Sequence, residues 1–468
     1  MSRVSLRKIL QILIGISFVA MVVWVWQGSS HKPADFVTEF QSAYDVEAKE
    51  NGTTKEFTLV ARESELEITE NQSTKIWSYN GSVPGPELRI IKGDTLKVTF
   101  RNNLSQPTTI HWHGVRVPNA MDGVPGVTQD PILPGEEFVY EFTPKDAGTF
   151  WYHPHVRGSE QVERGLYGTL IVEDPDDPVY AVDQILVIDD WRLLDDGTID
   201  PRFNTRHDLM HDGRWGSTIT VNGKQGYAMQ VRPGERLRLR LLNTSNGRIY
   251  KLGFGGLKAN VIAVDGMKVG ETFSAESFEL APGNRLDVDI VIPDSNTEKN
   301  FRITDTFTRK SVNLVNLSVK GNSVSGATFA VPVADHMPVW ETAIQAPITQ
   351  EYALNARRGG TYGIEWTING KAYPETDPIT LKAGEFNKLR FTNESARLHP
   401  MHLHGQFFKV VARNGKKVNE PYWRDTVLIH AKETVDIVLV PLDKGQWAMH
   451  CHILEHAEAG MMTVVNVQ

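Results

Sequence analysis

"NGSVPGPELRIIKGDTLKVTFRNN" (residues 80–103) is a stretch of chain that recurs twice, in altered form, further along the sequence. The other copies are "NGKQGYAMQVRPGERLRLRLLNTS" (222–245) and "NGKAYPETDPITLKAGEFNKLRFTNES" (369–395). Each copy has an Asn-Gly turn, then a Gly-Asp or Gly-Glu turn, and then a strand-like run that ends in Asn. A repeat of about domain size implies three copies of one β-sandwich.

The rest of the chain consists of short alternating runs such as "KEFTLVARESELEI" (55–68), separated by turn residues. Long stretches of helical periodicity are scarce, so the predicted fold class is all-β with sandwich-like strand spacing. Linker-like composition occurs in "EDPDDP" (173–178) and "VPVADHMPVWETAIQAP" (331–347). The sequence therefore predicts an N-terminal segment at 1–44 and three domains at 45–177, 178–340 and 341–468.

The N-terminal segment indicates export. Residues 9–26 are eighteen positions without a charge, and basic residues Arg3, Arg7 and Lys8 precede them. We expect this segment to anchor the protein in the inner membrane, with the remainder of the chain on the periplasmic side. A cleaved signal peptide is the competing interpretation, although only Gly28-x-Ser30 offers a small-residue cleavage site.

Net charge and cysteine count narrow the possible functions. The formal net charge of −8 and the lack of a long Lys/Arg run argue against nucleic acid as a partner. Cys451 is the only cysteine in 468 residues, so an exported chain has no internal disulfide. Because a free thiol outside the cytoplasm is a liability, a metal-ligand role is the simplest interpretation of Cys451.

The histidines are concentrated in four motifs. Ten of the fifteen lie in "HWHG" (111–114), "WYHPH" (151–155), "HPMHLHG" (399–405) and "HCHILEH" (450–456), and each motif contains an H-x-H pair. Residues i and i+2 of a strand point to the same face, so each pair presents two imidazoles side by side. A single pair is weak evidence of a metal site, since strand histidines are often only half-exposed residues, but four pairs in one chain predict a cluster between the first and third repeats.

Strand geometry also separates Cys451 from its two neighbours. If His450 and His452 face one way, Cys451 faces the other, and its sulfur binds a different metal. One thiolate, two imidazoles (His399 and His456) and a weak axial thioether (Met461) form the ligand set of a blue-copper electron-transfer centre. Met462 is an alternative axial ligand, although the spacing from His456 favours Met461.

All four motifs resemble those of the multicopper oxidases, the family of laccases and bacterial cuprous oxidases, over about residues 45–468. The resemblance implies three Greek-key cupredoxin domains and four copper ions per chain. By that resemblance, the copper ligands would be His399, Cys451, His456 and Met461 at the type 1 site, His111 and His402 at the type 2 site, and His113, His153 and His452 together with His155, His404 and His450 at the two type 3 sites. Electrons would pass from Cys451 through His450 and His452, and dioxygen would be reduced to water.

Proton delivery is a further implication of the resemblance. Asp122, in "NAMDGVPG" (119–126), matches an acidic residue that delivers protons in bacterial members, and an ordinary Asp-Gly turn is the alternative. The bacterial cuprous oxidases often have Glu where this chain has Ala457. Glu455 or Glu458 could replace that Glu, but the pattern favours a solvated acidic face for both.

The sequence is compatible with several classes of substrate. The family's cuprous oxidases often carry a methionine-rich insert, whereas the eleven methionines here are scattered, which favours a laccase-like oxidase of phenols or aromatic amines. Oxidation of Cu(I) or Fe(II) in copper tolerance is the alternative, and a non-catalytic cell-envelope scaffold is a minor one. "HDLMH" (207–211) has helical spacing for an accessory copper site, but we expect a surface loop. We also expect a monomer.

Overall fold

Strands form nearly all of the regular structure. The computed structural model describes residues 33–41, 47–48, 50–274, 276–294, 299–326, 328–338 and 341–468. Within these ranges, none of the helices has both the length and the apolar character needed to cross a membrane. The predicted anchor at residues 9–26 lies outside the described residues.

The first sandwich follows a short helix, α1 (Pro33–Gln41), and contains a second one, α2. Its elements are β1 (Thr54–Thr69), β2 (Gln72–Tyr79), β3 (Leu88–Ile91), β4 (Thr95–Asn102), β5 (His111–His113), β6 (Glu137–Phe142), β7 (Gly148–His153), α2 (Gly158–Gln161) and β8 (Gly168–Glu173), with a 3-10 helix at Asn119–Met121. The two sheets have the strand orders β2-β1-β4-β6 and β3-β8-β7-β5.

The second sandwich has larger sheets and one short helix. Its elements are β9 (Val182–Trp191), α3 (Arg206–Met210), β10 (Thr218–Val221), β11 (Ala228–Val231), β12 (Arg236–Asn243), β13 (Tyr250–Gly253), β14 (Ala259–Val264), β15 (Met267–Ser274), β16 (Ser277–Leu280), β17 (Arg285–Val291), β18 (Lys299–Asp305) and β19 (Val312–Val319). The strand orders are β10-β9-β12-β17-β14-β15 and β11-β19-β18-β13-β16.

The third sandwich begins after a 3-10 helix at Glu341–Gln345. Its elements are β20 (Gln350–Arg357), β21 (Glu365–Ile368), β22 (Ile379–Leu381), β23 (Asn387–Asn393), β24 (His399–Leu403), β25 (Lys409–Arg413), β26 (Lys416–Lys417), β27 (Thr426–Ile429), β28 (Thr434–Leu439), β29 (Gly445–Cys451), α4 (Leu454–Glu458) and β30 (Met462–Val467). The strand orders are β21-β20-β23-β28-β25-β26 and β22-β30-β29-β24-β27.

One topology occurs three times. The first strand of each sandwich pairs in parallel with the strand after the Gly-Asp or Gly-Glu turn: β1 with β4, β9 with β12 and β20 with β23. The strand before that turn pairs in parallel with the last strand of the sandwich: β3 with β8, β11 with β19 and β22 with β30. Such pairs require crossings between the two sheets, as in a Greek key. The predicted all-β class and threefold repeat are confirmed.

The Asn-Gly turns explain why the repeat recurs. Asn80, Asn222 and Asn369 have φ between 51° and 59°, and each is followed by a glycine with positive φ. Two successive residues with positive φ form the tight turn whose twist matches that of two flanking strands, and Asn and Gly adopt it at the lowest cost. The asparagine side chains also accept hydrogen bonds from the backbone N–H groups of Val60, Val187 and Ala353.

The asparagine that ends each repeat is buried and holds the following loop. The side-chain nitrogen of Asn393 donates to the carbonyl oxygens of Arg397 and His430, and its oxygen accepts from the backbone N–H of Ser395. Asn102 and Asn243 make equivalent bonds in the other sandwiches. Because the loop after Asn393 leads directly into β24, this asparagine helps to position His399 at the start of that strand.

Helix α1 is an element that the sequence pattern did not predict. Phe36 and Phe40 are buried, and they pack on the third sandwich although they precede the first one in sequence. The ring of Phe36 lies 4.8 Å from that of Phe386, and the ring of Phe40 lies 5.1 Å from that of Trp423. Helix α1 is thus attached to the third sandwich.

Candidate metal centres

The four H-x-H pairs lie on or just beyond strands β5, β7, β24 and β29 of the first and third sandwiches. His111 is opposite His153 in the β5–β7 pairing, and His402 is opposite His450 in the β24–β29 pairing. The ring centroids within the pairs are 5.8 Å apart in 111/113, 6.4 Å in 153/155, 4.8 Å in 402/404 and 5.7 Å in 450/452. The expectation that each pair presents adjacent imidazoles is confirmed.

The eight imidazoles converge from the two sandwiches into one cluster. Their ring nitrogens form three groups, in each of which the atoms lie within 4.8 Å of one another: His111, His113 and His402; His113, His153 and His452; and His155, His404 and His450. The last two groups have the composition predicted for the two type 3 sites, and the first contains both residues predicted for the type 2 site. Seven of the eight residues are buried, and His155 is partly exposed.

Hydrogen bonds define which nitrogen carries a proton in four of these rings. The Nδ1 atoms of His111, His402 and His450 contact the carbonyl oxygens of Asp122, Asp425 and Cys451 at 2.8, 3.0 and 2.9 Å. A carbonyl oxygen only accepts, so these Nδ1 atoms donate and the Nε2 atoms present lone pairs. His404 is oriented in the same way, since its Nδ1 contacts a carboxylate oxygen of Asp122.

These lone pairs face one another without hydrogen-bond donors between them. The Nε2 atom of His450 lies 3.1 Å from that of His404 and 3.2 Å from that of His155. Nitrogen atoms of His111, His113, His153, His402 and His452 are buried without a hydrogen-bond partner. Two facing lone pairs repel, and a buried polar atom without a partner is costly, so the cluster fits a set of bound cations. Imidazole nitrogens suit copper.

The protonation states agree with this conclusion. Burial, followed by the charges of neighbouring imidazoles, lowers the pKa of His153, His155, His404 and His452 well below the usual value. Burial likewise lowers the pKa of His450 to about 3. These five imidazoles are therefore neutral at physiological pH, which is the form that binds metals.

Cys451 belongs to a second group, with His399 and His456. Its Sγ lies 3.6 Å from Nδ1 of His399 and 3.7 Å from Nδ1 of His456, and the two Nδ1 atoms are 3.3 Å apart. All three residues are fully buried. Burial raises the pKa of the Cys451 thiol, so the thiolate needs a cation beside it to form. The prediction that Cys451 and its neighbouring histidines join different groups agrees with this arrangement.

Three neighbouring residues fix the imidazoles of this second group. The Ser395 hydroxyl donates to the side chain of Asn393 and accepts from Nε2 of His399 at 2.9 Å. Nε2 of His456 donates to the carbonyl oxygen of His211 at 2.6 Å. Both Nδ1 atoms therefore direct lone pairs towards Cys451, as metal ligands held by outer hydrogen bonds do. The ring of Trp366 covers His456, with 4.1 Å between centroids.

Met461 and Met462 pack in different places. Met461 is fully buried in the apolar cluster that contains Cys451, and its backbone carbonyl accepts from the N–H of Cys451. Met462 packs in a separate small cluster with Val124 and Ala448. This difference supports Met461 as the thioether of the group.

Asp122 lies against the eight-imidazole cluster. Its carboxylate oxygens are 3.0 Å from Nδ1 of His404 and 3.2 Å from Nδ1 of His111, and the side chain is buried. The next residue, Gly123, has φ of +82°, and a Cβ there would lie 1.9 Å from the carbonyl oxygen of Ile110. The Asp-Gly turn therefore exists, and it holds a carboxylate that contacts two predicted ligands.

Asp425 and Arg285 are two site residues that the sequence analysis missed. Arg285 donates to both carboxylate oxygens of Asp425, at 2.6 and 3.0 Å, and both residues are buried. Asp425 also lies 3.3 Å from Nε2 of His113 and accepts from Nδ1 of His402 through its backbone carbonyl. Burial alone would raise the pKa of Asp425, but Arg285 and His402 hold it well below its usual value. The one feature of the sequence that could have indicated Asp425 is its position directly before the apolar strand β27.

The expectation of a solvated acidic face around Ala457 is wrong for Glu455. Glu455 is fully buried and accepts from the side chain of Asn246 at 3.0 Å, because α4 packs against the second sandwich at this point. Burial raises the pKa of Glu455 to about 7. Glu458 is half-buried and accepts from the backbone N–H of Ser159 and from the side chain of Asn204.

The predicted surface loop at 207–211 is instead the helix α3 and the residue after it. The Thr205 hydroxyl caps this helix by accepting from the N–H of Asp208. The helix propensity of five residues is too weak to predict such a helix. Its inner face is held by contacts with residues that are distant in sequence. His207 and Met210 are exposed, as the loop interpretation expected.

Comparisons with known proteins agree with the geometry. Three sequence profiles described as multicopper oxidase match residues 61–177, 183–322 and 342–468. The crystal structure of a multi-copper oxidase from Pseudomonas thermotolerans has a TM-score of 0.79 and 32% identity, over 89% of this chain and 99% of that one. A multicopper oxidase from Campylobacter jejuni, described as a metallo-oxidase, has a TM-score of 0.75 and 28% identity, over 91% and 93%. A laccase of Cryphonectria parasitica is 28% identical over 89% of this chain and 83% of its own.

Proposed function

Because the chain belongs to the multicopper oxidase family, an oxidoreductase family that binds copper and uses dioxygen as acceptor, we propose that its histidine clusters couple substrate oxidation to dioxygen reduction. The observation that supports this proposal is that Cys451 belongs to one group of ligand-type residues, whereas its two neighbours, His450 and His452, belong to the eight-imidazole cluster. An electron that enters at the thiol thus has a route of a few bonds to the imidazole cluster.

We assign the copper ligands as the motifs predict. They are His399, Cys451, His456 and Met461 for the type 1 site, His111 and His402 for the type 2 site, and His113, His153, His452, His155, His404 and His450 for the type 3 pair. When bound, copper supplies one-electron redox chemistry at the type 1 site and a place for four-electron reduction of dioxygen to water at the cluster.

The protein's own residues orient and insulate the type 1 ligands. Ser395 and the His211 carbonyl hold the rings of His399 and His456, and Trp366 packs over His456. A thiolate beside two imidazoles selects a soft cation, and a dry surrounding tunes its potential. The Nδ1–H of His450 donates to the carbonyl oxygen of Cys451, which adds a hydrogen-bonded route between the two groups.

Protons must reach the buried cluster, and Asp122 is the residue that we propose supplies them. Its carboxylate contacts the Nδ1 atoms of His404 and His111, so it can exchange a proton beside the reacting position. Ala457 lacks a carboxyl group where bacterial relatives often have one. Asp122 would therefore carry more of the delivery in this chain.

For the substrate, we propose phenols or aromatic amines, in a laccase-like reaction that removes one electron at a time. The scattered methionines and the laccase among the similar proteins support this proposal. Oxidation of Cu(I) or Fe(II) is a second candidate, favoured by the exposed His and Met side chains of α3 beside His456. We further propose that the protein acts as a periplasmic monomer anchored through residues 9–26.

Oxygen uptake by the copper-loaded full chain in detergent tests the proposal. Dimethoxyphenol and Cu(I) at a matched free concentration are compared, with Cys451→Ser as the variant that removes the thiolate. We expect uptake with at least one donor, and its loss together with the blue absorption in Cys451→Ser. A copper-loaded chain that consumes no oxygen with either donor would contradict the proposal.

A further inference from the structure

The stretch of chain from His452 to His456 joins the two groups of ligand-type residues. His452 belongs to the eight-imidazole cluster, and His456 belongs to the group of Cys451. We propose that Asn246 of the second sandwich is a positioning residue that holds this stretch and thereby fixes the geometry of both groups. This inference rests on the proposed oxidase function and its ligand assignment, and it adds a residue that touches none of the copper ions.

The side chain of Asn246 joins the first sandwich to the third. It is buried, and its Nδ2 donates to the carbonyl oxygen of Ser159 in α2 at 2.7 Å and to Oε1 of Glu455 in α4 at 3.0 Å. A carbonyl oxygen only accepts, so the nitrogen must face Ser159, and both of its N–H groups are used. The backbone carbonyl of Asn246 also accepts from the N–H of Leu454 at 3.1 Å. One residue therefore makes three bonds to the other two sandwiches.

The two helices that Asn246 connects adjoin predicted ligands. Helix α2 begins three residues after His155, and α4 begins two residues after His452. The helices are also bonded to each other, since the backbone N–H of Ser159 donates to Oε1 of Glu458 at 2.8 Å. Asn246 thus completes a set of bonds between the segment that leaves the imidazoles of the first sandwich and the segment that joins the two groups in the third.

The repeated fold brings Asn246 to this position. Asn243 ends β12 and holds the next loop, because its side chain accepts from the N–H of Ser245 and donates to a backbone carbonyl further along the loop. Asn393 holds the corresponding loop of the third sandwich, which leads to the predicted ligand His399. The same loop of the repeat therefore leads to a ligand in the third sandwich and carries Asn246 in the second.

Close packing connects this loop to a second loop that contacts α4. A Cβ on Gly247 would lie 2.4 Å from the carbonyl oxygen of Asp212, so the two loops meet with no room for a side chain between their backbones. The residue before Asp212 is His211, whose carbonyl oxygen accepts from Nε2 of His456. The second sandwich therefore holds α4 from two packed loops, one with Asn246 and one with His211.

Loss of the Asn246 amide would act on both groups at once. The carbonyl oxygen of Ser159 and the carboxylate of Glu455 would lose a buried donor, and buried acceptors without a partner are costly. The two helices would then shift towards other donors, and His452 and His456 would move with α4. Metal ligands need to be held within about 0.5 Å of their productive positions, and outer hydrogen bonds provide that precision.

Absorption spectra of the copper-loaded full chain test the inference. Asn246→Ala removes both donors, and Asn246→Asp has nearly the same size but lacks the N–H groups. Asn313→Ala and Asn313→Asp, which remove an exposed bond in the same sandwich, are the matched controls.

In both Asn246 variants we expect changes in the blue absorption of the type 1 site and in the near-ultraviolet absorption of the type 3 pair. Copper affinity at the type 1 site should fall about tenfold or more. The controls should match wild type. Unchanged spectra, or a change at the type 1 site alone, would overturn the inference that Asn246 fixes both groups.

Amide hydrogen exchange of the copper-free chain is a second measurement, and it does not depend on the proposed function. In Asn246→Ala we expect the N–H groups of α4 to exchange about tenfold faster or more, because their outer contacts are lost. Equal exchange in β20, which is distant from α4 in sequence, would show that the variant is folded. Unchanged exchange in α4 would overturn the inference. If the wild type consumes no oxygen with any donor, the proposed function fails, but exchange still decides whether Asn246 holds α4.

Discussion

Arg285 of the second sandwich and Asp425 of the third form a fully buried ion pair with a shortest contact of 2.6 Å, beside His113 and His402. The pair joins the second sandwich, which supplies none of the predicted copper ligands, to the cluster between the other two. Asp425 is also the acceptor that fixes the tautomer of His402. The second sandwich therefore contributes to the cluster through charge and orientation.

We expect Arg285→Met to destabilise the protein by about 3–5 kcal/mol, because it leaves buried carboxylate charge without its partner. Denaturant unfolding of the copper-free protein measures the loss. Arg357→Ala, which removes the pair between the exposed Arg357 and the half-buried Glu365, should cost less than about 1 kcal/mol. Equal effects of the two substitutions would show that the buried pair has no special role.

Asp122→Asn should lower the steady-state rate of oxygen consumption by about a hundredfold, because an amide cannot exchange the proton that the carboxylate supplies. Anaerobic bleaching of the blue absorption by substrate should stay close to the wild-type rate. Asp130→Asn, in an exposed part of the same loop, is the matched control. If Asp122→Asn slows bleaching as much as turnover, Asp122 acts on something other than proton delivery.

Ser395→Ala should weaken copper binding at the type 1 site about tenfold or more, since the Nε2–H of His399 loses its acceptor. The change should also appear in the potential and the electron paramagnetic resonance signal of the site. Ser323→Ala, in an exposed loop, should change neither quantity. A normal signal and affinity in Ser395→Ala would mean that β24 alone orients the imidazole.

Stability should depend on pH through His430 and Glu279, which pair at 3.0 Å between the third and second sandwiches. The hydrogen bond with Glu279 raises the pKa of His430, and the same bond lowers the pKa of Glu279. The histidine's contribution is complete below its unfolded pKa of about 6.5 and is lost as pH rises through the folded value. The glutamate's contribution is present above about pH 4.5 and is lost as pH falls.

The pair should therefore stabilise the fold most between about pH 4.5 and 6.5. His430→Gln should reduce the difference in unfolding midpoint between pH 6 and pH 8, measured by thermal denaturation. The control His336→Gln, which changes an exposed histidine elsewhere in the chain, should leave that difference as in wild type. An identical pH profile in His430→Gln would show that the ion pair contributes nothing to stability.

Removing copper should lower stability, because the eight imidazoles come from two sandwiches and their facing lone pairs then repel. At a free copper concentration a thousandfold above the dissociation constant, binding contributes about 4 kcal/mol. Denaturant unfolding of the copper-free and copper-loaded chain measures the difference. His402→Gln should reduce it, and equal midpoints would contradict the assignment of the cluster.

The strand-borne part of the site was predictable from sequence. His111 and His113, like His450 and His452, lie side by side because residues two apart on a strand share a face. The same rule separates Cys451 from its neighbours, which is why two distinct groups could be predicted. The Asn-Gly turns were also predictable from sequence, because the positive φ values that such turns require restrict the choice of residue.

The residues that orient the ligands were not predictable, because they come from distant parts of the chain. His211 reaches His456 across 245 positions, and Asp425 reaches His113 across 312. The sequence spacing of such residues does not indicate a contact that depends on how whole sandwiches pack against one another. Glu455 shows the converse: a charged residue is usually exposed, but here packing of α4 against Asn246 buries it.

His456 is fully buried beneath Trp366 and the His211 carbonyl, and this has a consequence for the products of the reaction. The atoms of a reductant stay outside the protein wall, so only an electron crosses it by tunnelling. The enzyme should then distinguish donors mainly by their reduction potential and by how closely they approach that wall. It should release radicals or oxidised ions, and none of the oxygen atoms of dioxygen should appear in the oxidised donor.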